Sequence, residues 1–138
     1  MRRFRFLNHT GDLGMEIYGQ SLIDLFENAG QGLFAVITNP SKVEEKIGKK
    51  IGLNYDDLET LMVDWLGQLL YLHDVEGLLF RRFEVSSIGD GRFEASAWGE
   101  VFEERKHVVR TEVKAVTFHQ LEVRQRGDRW QARVILDL

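Results

Sequence analysis

The chain has 138 residues, 18 basic against 22 acidic for a formal net charge of −4, one proline and no cysteine. That is one domain's worth of chain, read as a single domain over 1–138, and it has no disulfides, thiolate metal sites or cysteine nucleophiles. No apolar run approaches the roughly 20 residues of a membrane span, and no apolar stretch follows the charged start Met1–Phe6, so a soluble cytoplasmic protein with no membrane partner is expected.

The first residues form a strand, and Phe6–Gly14 packs small and polar residues into a turn that leaves Asp12 at the head of a second strand. There Leu13, Met15 and Ile17 alternate with Gly14, Glu16 and Tyr18, the two-residue period of a strand with one buried face. Ser21 caps a helix, with Asp24 near the capping-box position. Leu22, Leu25, Phe26, Ala29, Gly30, Leu33, Phe34 and Ile37 recur on one face, and Thr38-Asn39-Pro40 ends it. Val43–Leu53 reads as a weaker strand. A second helix starts at Asp56, with Glu59 three residues on and a stripe of Leu58, Leu61, Met62, Trp65, Leu66, Leu69 and Leu70. Each stripe fills one face only, so each helix is expected to lie on something flat.

Further alternation follows. Phe93, Ala95, Ala97 and Val101 oppose Arg92, Glu94, Ser96 and Glu100. Trp130, Ala132, Val134 and Leu136 oppose Gln131, Arg133, Ile135 and Asp137. Gly89-Asp90-Gly91 and Arg126-Gly127-Asp128 read as hairpin turns. The expected fold is α+β, an antiparallel or mixed sheet with two amphipathic helices packed against it, in the order β-β-α-β-α-β-β-β-β.

No two of His9, His73, His107 and His119 have zinc-protease spacing, and there is no phosphate-binding glycine loop, dinucleotide fingerprint or nucleophile elbow. His119 falls on the side of Leu121 and Val123 and reads as a hydrogen-bonded core or edge residue. The basic clusters Arg2/Arg3/Arg5, Arg81/Arg82, Arg105/Lys106 and Arg124/Arg126/Arg129 read as solvated strand ends and turns. An acidic chain with scattered basic patches suits a protein partner better than autonomous nucleic-acid binding. The turn before Asp12 reads either as local side-chain bonding to backbone or as part of a site. The final strand ends at Asp137-Leu138, a carboxylate side chain beside a terminal carboxylate. If that charge meets Asp12, a cation must separate the like charges, or they must move apart or take up protons. Oxygen-only ligands favour a hard ion such as calcium or magnesium.

The same segments carry a resemblance. His9-Thr10-Gly11-Asp12 resembles the His-Thr-Ala-Asp signature of the archease family, with Gly11 where that family usually has Ala. Gly19-Gln20-Ser21-Leu22 leading to Leu25-Phe26, the block Val113–His119, Trp130 and the terminal Leu136-Asp137-Leu138 are similar too, so the likeness spans essentially the whole chain. The resemblance implies a non-enzymatic partner of the RtcB-type RNA ligase of tRNA splicing and RNA repair, promoting guanylylation of the ligase's histidine and repeated turnover. It implies metal ligands at Asp12, Asp137 and the Leu138 backbone or carboxylate oxygen. Calcium is the expected ion, with magnesium or manganese as alternatives. Lys114 reads either as a contact to ligase or nucleotide or as an exposed strand lysine, and RNA is met only indirectly. The competing readings are a stand-alone metal-dependent hydrolase or nucleotidyl enzyme, and a chaperone or RNA-binding module.

Overall fold

The chain runs through β1 (Phe4–His9), β2 (Asp12–Gly19), α1 (Leu22–Ile37), a short 3-10 turn (Pro40–Lys42), β3 (Ile47–Asn54), α2 (Leu58–Glu76), β4 (Leu78–Gly89), β5 (Arg92–Val101), β6 (Ala115–Arg126) and β7 (Arg129–Asp137). This computed structural model describes residues 2–138, and of His9 the backbone alone. The α+β order is the one the sequence predicts. The flat support is not one sheet but two, a four-stranded sheet β1-β2-β7-β6 and a three-stranded sheet β3-β5-β4. Every strand pair is antiparallel. No helix is long and apolar enough to cross a membrane.

The caps show why the helices begin where they do. Ser21 Oγ accepts from the Asp24 N–H at 3.0 Å, while Asp24 Oδ2 accepts from the Gln20 N–H at 2.9 Å, a reciprocal box whose return bond lands one residue before the cap. The cap of α2 is Asp57, not Asp56: its Oδ1 accepts from the Thr60 N–H at 2.7 Å, and that bond holds its carboxyl below the usual range. Gly77, at φ 69, closes α2 in the left-handed conformation. The strand expected over Val43–Leu53 begins later, at Ile47, and Val43 is buried ahead of it.

Both helices lie between the sheets. α1 packs on β2 of the first and β4 of the second, and α2 on β6 of the first and on β3 and β4 of the second. The expected single buried face is therefore incomplete for α1, which also buries Asn28, Gly32 and Val36. Two glycines on opposite sides of α1 permit the double contact. A Cβ at Gly30 would stand 2.8 Å from the Phe83 ring of β4, and one at Gly32 would stand 2.6 Å from Met15 Sδ of β2. Trp65 of α2, fully buried, donates its indole N–H to the Phe26 carbonyl of α1 at 2.8 Å and packs its ring edge-on to Phe93 and Phe83.

Gly67 supplies the contrast, since a Cβ there would meet nothing within 4 Å. Gly67→Ala is expected to raise stability by about 0.5–1 kcal/mol through helix propensity. Gly30→Ala is expected to lower it by about 1–3 kcal/mol, because the buried Phe83 ring has nowhere to retreat. Urea unfolding midpoints of the two variants check the difference in sign.

Candidate functional site

The site begins at the β1–β2 turn, Thr10-Gly11. Gly11 sits at φ 77, in the left-handed region where a side chain is strained. Glycine at this position therefore spares the turn the strain that a side chain would carry. The turn delivers Asp12 as the first residue of β2, in register with His9 on one side and Asp137 on the other. Directly opposite residues of an antiparallel pair have Cα atoms about 4.5–5.5 Å apart and project to the same face. Asp12 is half-buried, Asp137 exposed and Leu138 half-buried against the core.

Across β7 from Asp12, Ala115 pairs with Asp137. The preceding residue, exposed Lys114, donates its backbone N–H to the Asp137 carbonyl at 2.7 Å. Asp12, Lys114, Asp137 and Leu138 thus gather at one end of the four-stranded sheet from three separate stretches of chain. Among the described residues, no Lys, Arg or His lies within ion-pair distance of Asp12 or Asp137, although Glu16 and Glu122 on the same face are held by Arg5 at 2.5 Å and Arg133 at 3.0 Å. The Arg5 hydrogen bond keeps Glu16 below the usual carboxylate range. Directly opposed like charges are destabilising, and oxygen donors are the ligands that a hard cation takes. No group of three or more His, Cys, Asp or Glu arranged to hold a metal ion is present among the described residues. The oxygens gathered at this end are those of two side-chain carboxylates and of Leu138.

The long connection that brings Lys114 to this end is strapped down. Phe102 N–H donates to Gly77 O at 2.7 Å, Arg110 N–H to Ile37 O at 2.7 Å and Thr38 Oγ1 to Val108 O at 2.6 Å. Its anchor is Glu100, whose neighbours reverse the expected alternation: Glu100 is buried and Val101 is 53 % exposed. The carboxylate accepts from the Glu44 N–H at 2.7 Å, Lys106 Nζ at 2.8 Å and His107 Nε2 at 3.0 Å. His107 Nδ1 accepts the Glu103 N–H at 2.9 Å, which leaves the ring proton on Nε2 to donate. No motif marked this group, and the one signal was a glutamate adjoining the strand's break from alternation.

His119, expected at the core or at an edge, lies on the edge strand β6. Thr117 and Glu122 of β6 are five residues apart, but their partners Ile135 and Arg133 are two apart, so three extra residues bulge from the ladder. Gln120 takes φ 51 within it, and Phe118 and His119 are exposed rather than turned to the core.

Burial alone would push the Glu100 carboxyl up; the Lys106, Glu44 and His107 hydrogen bonds outweigh it and hold the group down to about 2. A depressed carboxyl contributes stability above its unfolded value, lost as pH falls from about 4.5 through about 2. Glu100→Gln is expected to be less stable at neutral pH and to lose less across that window, measured as urea midpoints against pH.

Comparison with known proteins covers the whole of this framework. Residues 4–138 match the model of the Archease protein family. The protein archease of Methanosarcina barkeri is 38 % identical over 141 residues, covering 99 % of this chain and 97 % of its own. That of Pyrococcus furiosus is 39 % identical with both chains covered in full. The solution structure of Methanobacterium thermoautotrophicum protein 1598 superimposes with a TM-score of 0.88 at 40 % identity, covering 100 % of both chains. The crystal structure of a Thermotoga maritima archease, described as a possible chaperone, shares the fold at a TM-score of 0.66 and 23 % identity, covering 100 % of this chain and 98 % of that one.

Proposed function

We propose that this chain, which belongs to the archease family, is a cytoplasmic, non-catalytic activator of an RtcB-type RNA ligase in tRNA splicing and RNA repair. It would promote transfer of GMP to the ligase's histidine and repeated turnover. The observation that supports this most is the register pairing of Asp12 with Asp137 beside Lys114. Asp12 and Asp137, with an oxygen of Leu138, would hold a divalent cation, calcium first and magnesium or manganese as alternatives. Such a cation supplies charge neutralisation to phosphate oxygens. Lys114, held to β7 through its backbone, is exposed and available to an anionic group of the ligase or its nucleotide. The candidate site lies at an open sheet end, a place suited to meeting a protein surface. The description of the T. maritima protein as a possible chaperone points to the same broad class, a protein that acts on another protein.

Calcium or manganese at a hundredfold excess over Kd is expected to stabilise the folded chain by about 2.7 kcal/mol. Asp12→Asn should abolish that thermal shift. A shift unchanged by the substitution would place the ion elsewhere.

Asp12→Ala and Asp137→Ala should fold and yet fail to accelerate single-turnover transfer of labelled GMP to the ligase. Lys114→Ala should show a partial defect. Full acceleration by both Asp variants would overturn the role given to the carboxylates. GTP consumption by this chain without ligase would favour an enzyme acting alone.

A further inference from the structure

At the far end of the same sheet, β2 reaches Gly19 opposite Trp130 of β7, and β6 reaches Arg126 opposite Arg129. A cavity of about 650 Å³ opens there. Seven residue steps at about 3.4 Å each separate Asp12 from Gly19, so this end lies some 24 Å from the carboxylates. Arg2, Arg126 and Arg129 line the cavity together with Tyr18 and Trp130, and no Asp or Glu does, although Glu16 accepts from the Tyr18 hydroxyl at 3.0 Å. Arg2 is brought into place by the Tyr18 N–H, which donates to the Arg3 carbonyl at 2.9 Å and extends the β1–β2 ladder by one residue.

Five arginines of this molecule are paired with glutamates, and the three of the cavity are among those that are not. Arg5, Arg82, Arg92, Arg124 and Arg133 each sit within 4 Å of a glutamate. Among the described residues, Arg2, Arg126 and Arg129 have no carboxylate within that distance. Three guanidiniums from three strand ends converge in a chain whose net charge is −4. A shared anion offsets their mutual repulsion, and the guanidinium fork fits phosphate oxygens two at a time.

The volume and the walls narrow the ligand further. The cavity is within the roughly 300–1,000 Å³ range of small-molecule sites, far more than one phosphate fills. Tyr18 faces the same side of the sheet as Arg129, and its ring offers a base a stacking surface that a bare anion leaves unused. We propose that this cavity binds a nucleotide, its phosphate among Arg2, Arg126 and Arg129 and its base against Tyr18. The nucleotide is either free or part of a single RNA strand. The site is independent of the carboxylate pair and does not rest on the ligase reading.

Two probes test it on the full chain in EDTA: GTP, followed by equilibrium dialysis, and a 5′-fluorescein-labelled ten-nucleotide single-stranded RNA, followed by anisotropy. At least one should bind, and Arg126→Gln/Arg129→Gln should raise its Kd tenfold or more. Asp12→Asn should leave that Kd within twofold. If the RNA binds, the double variant should also reduce the slope of log Kd against log salt by about 1.4, at about 0.7 per lost contact. Binding of GTP identifies a free-nucleotide site, and binding of RNA alone identifies a strand site. Failure of both probes at millimolar concentration overturns the proposal. So does binding unaffected by the arginine substitutions, or displacement of the probe by inorganic phosphate at the nucleotide's own concentration.

Discussion

The antiparallel ladder between β2 and β7 gives both ends of the molecule their character. Leu13, Met15 and Ile17 must face the helices, and so must Leu136, Val134 and Ala132; these residues are register partners. A slip of one residue would turn one whole set to solvent, so burial fixes the register tightly. With the register fixed, the alternate residues have no freedom. Asp12 meets Asp137, Glu16 meets Arg133 and Tyr18 meets Gln131. The opposed carboxylates are therefore a cost that core packing imposes on the open face, and they persist because moving them would dismantle the core.

Much of the fold was legible because it is written in local chemistry. The order of elements, the Ser21 cap and the turn at Asp90-Gly91 follow from residues near one another in sequence. Both residues of that turn have positive φ, as a type I′ hairpin requires. The second sheet was not legible. Periodicity shows that a helix buries a face but not how many layers cover it, and Gly30 and Gly32 disclose a double contact only once Phe83 and Met15 are known to lie on either side. The one-residue shift from Asp56 to Asp57 has a similar origin, since two adjacent aspartates have equal capping chemistry.

At the candidate site, Asp12 and Asp137 stood out as carboxylates in odd places, one in a tight turn and one at the end of an apolar strand. The support beneath Lys114 was hidden, because Thr38 and Arg110 bond backbone carbonyls far away in sequence and the side-chain cluster of Glu100, Lys106 and His107 follows no motif spacing. The bulge at Phe118–Gln120 was hidden for a related reason. An inserted residue reverses the side to which every later one points, and alternation counted through it gives the wrong face for His119. Arg2, Arg126 and Arg129 read separately as ordinary strand-end charge, and only the β1-β2-β7-β6 order brings them together.

That strand order also governs when the acidic end comes into being. The β4–β5 and β6–β7 hairpins close through short turns, but β2 must wait for a partner on the far side of both helices and four other strands. Contacts of such sequence separation form late, since the entropy of closing the intervening chain is lost before the contact gives anything back. During synthesis, β2 therefore spends its time as an open edge, and Asp12 stands alone until β7 arrives. The juxtaposed carboxylates are a mark of a chain that has finished folding, and a half-made one does not carry it.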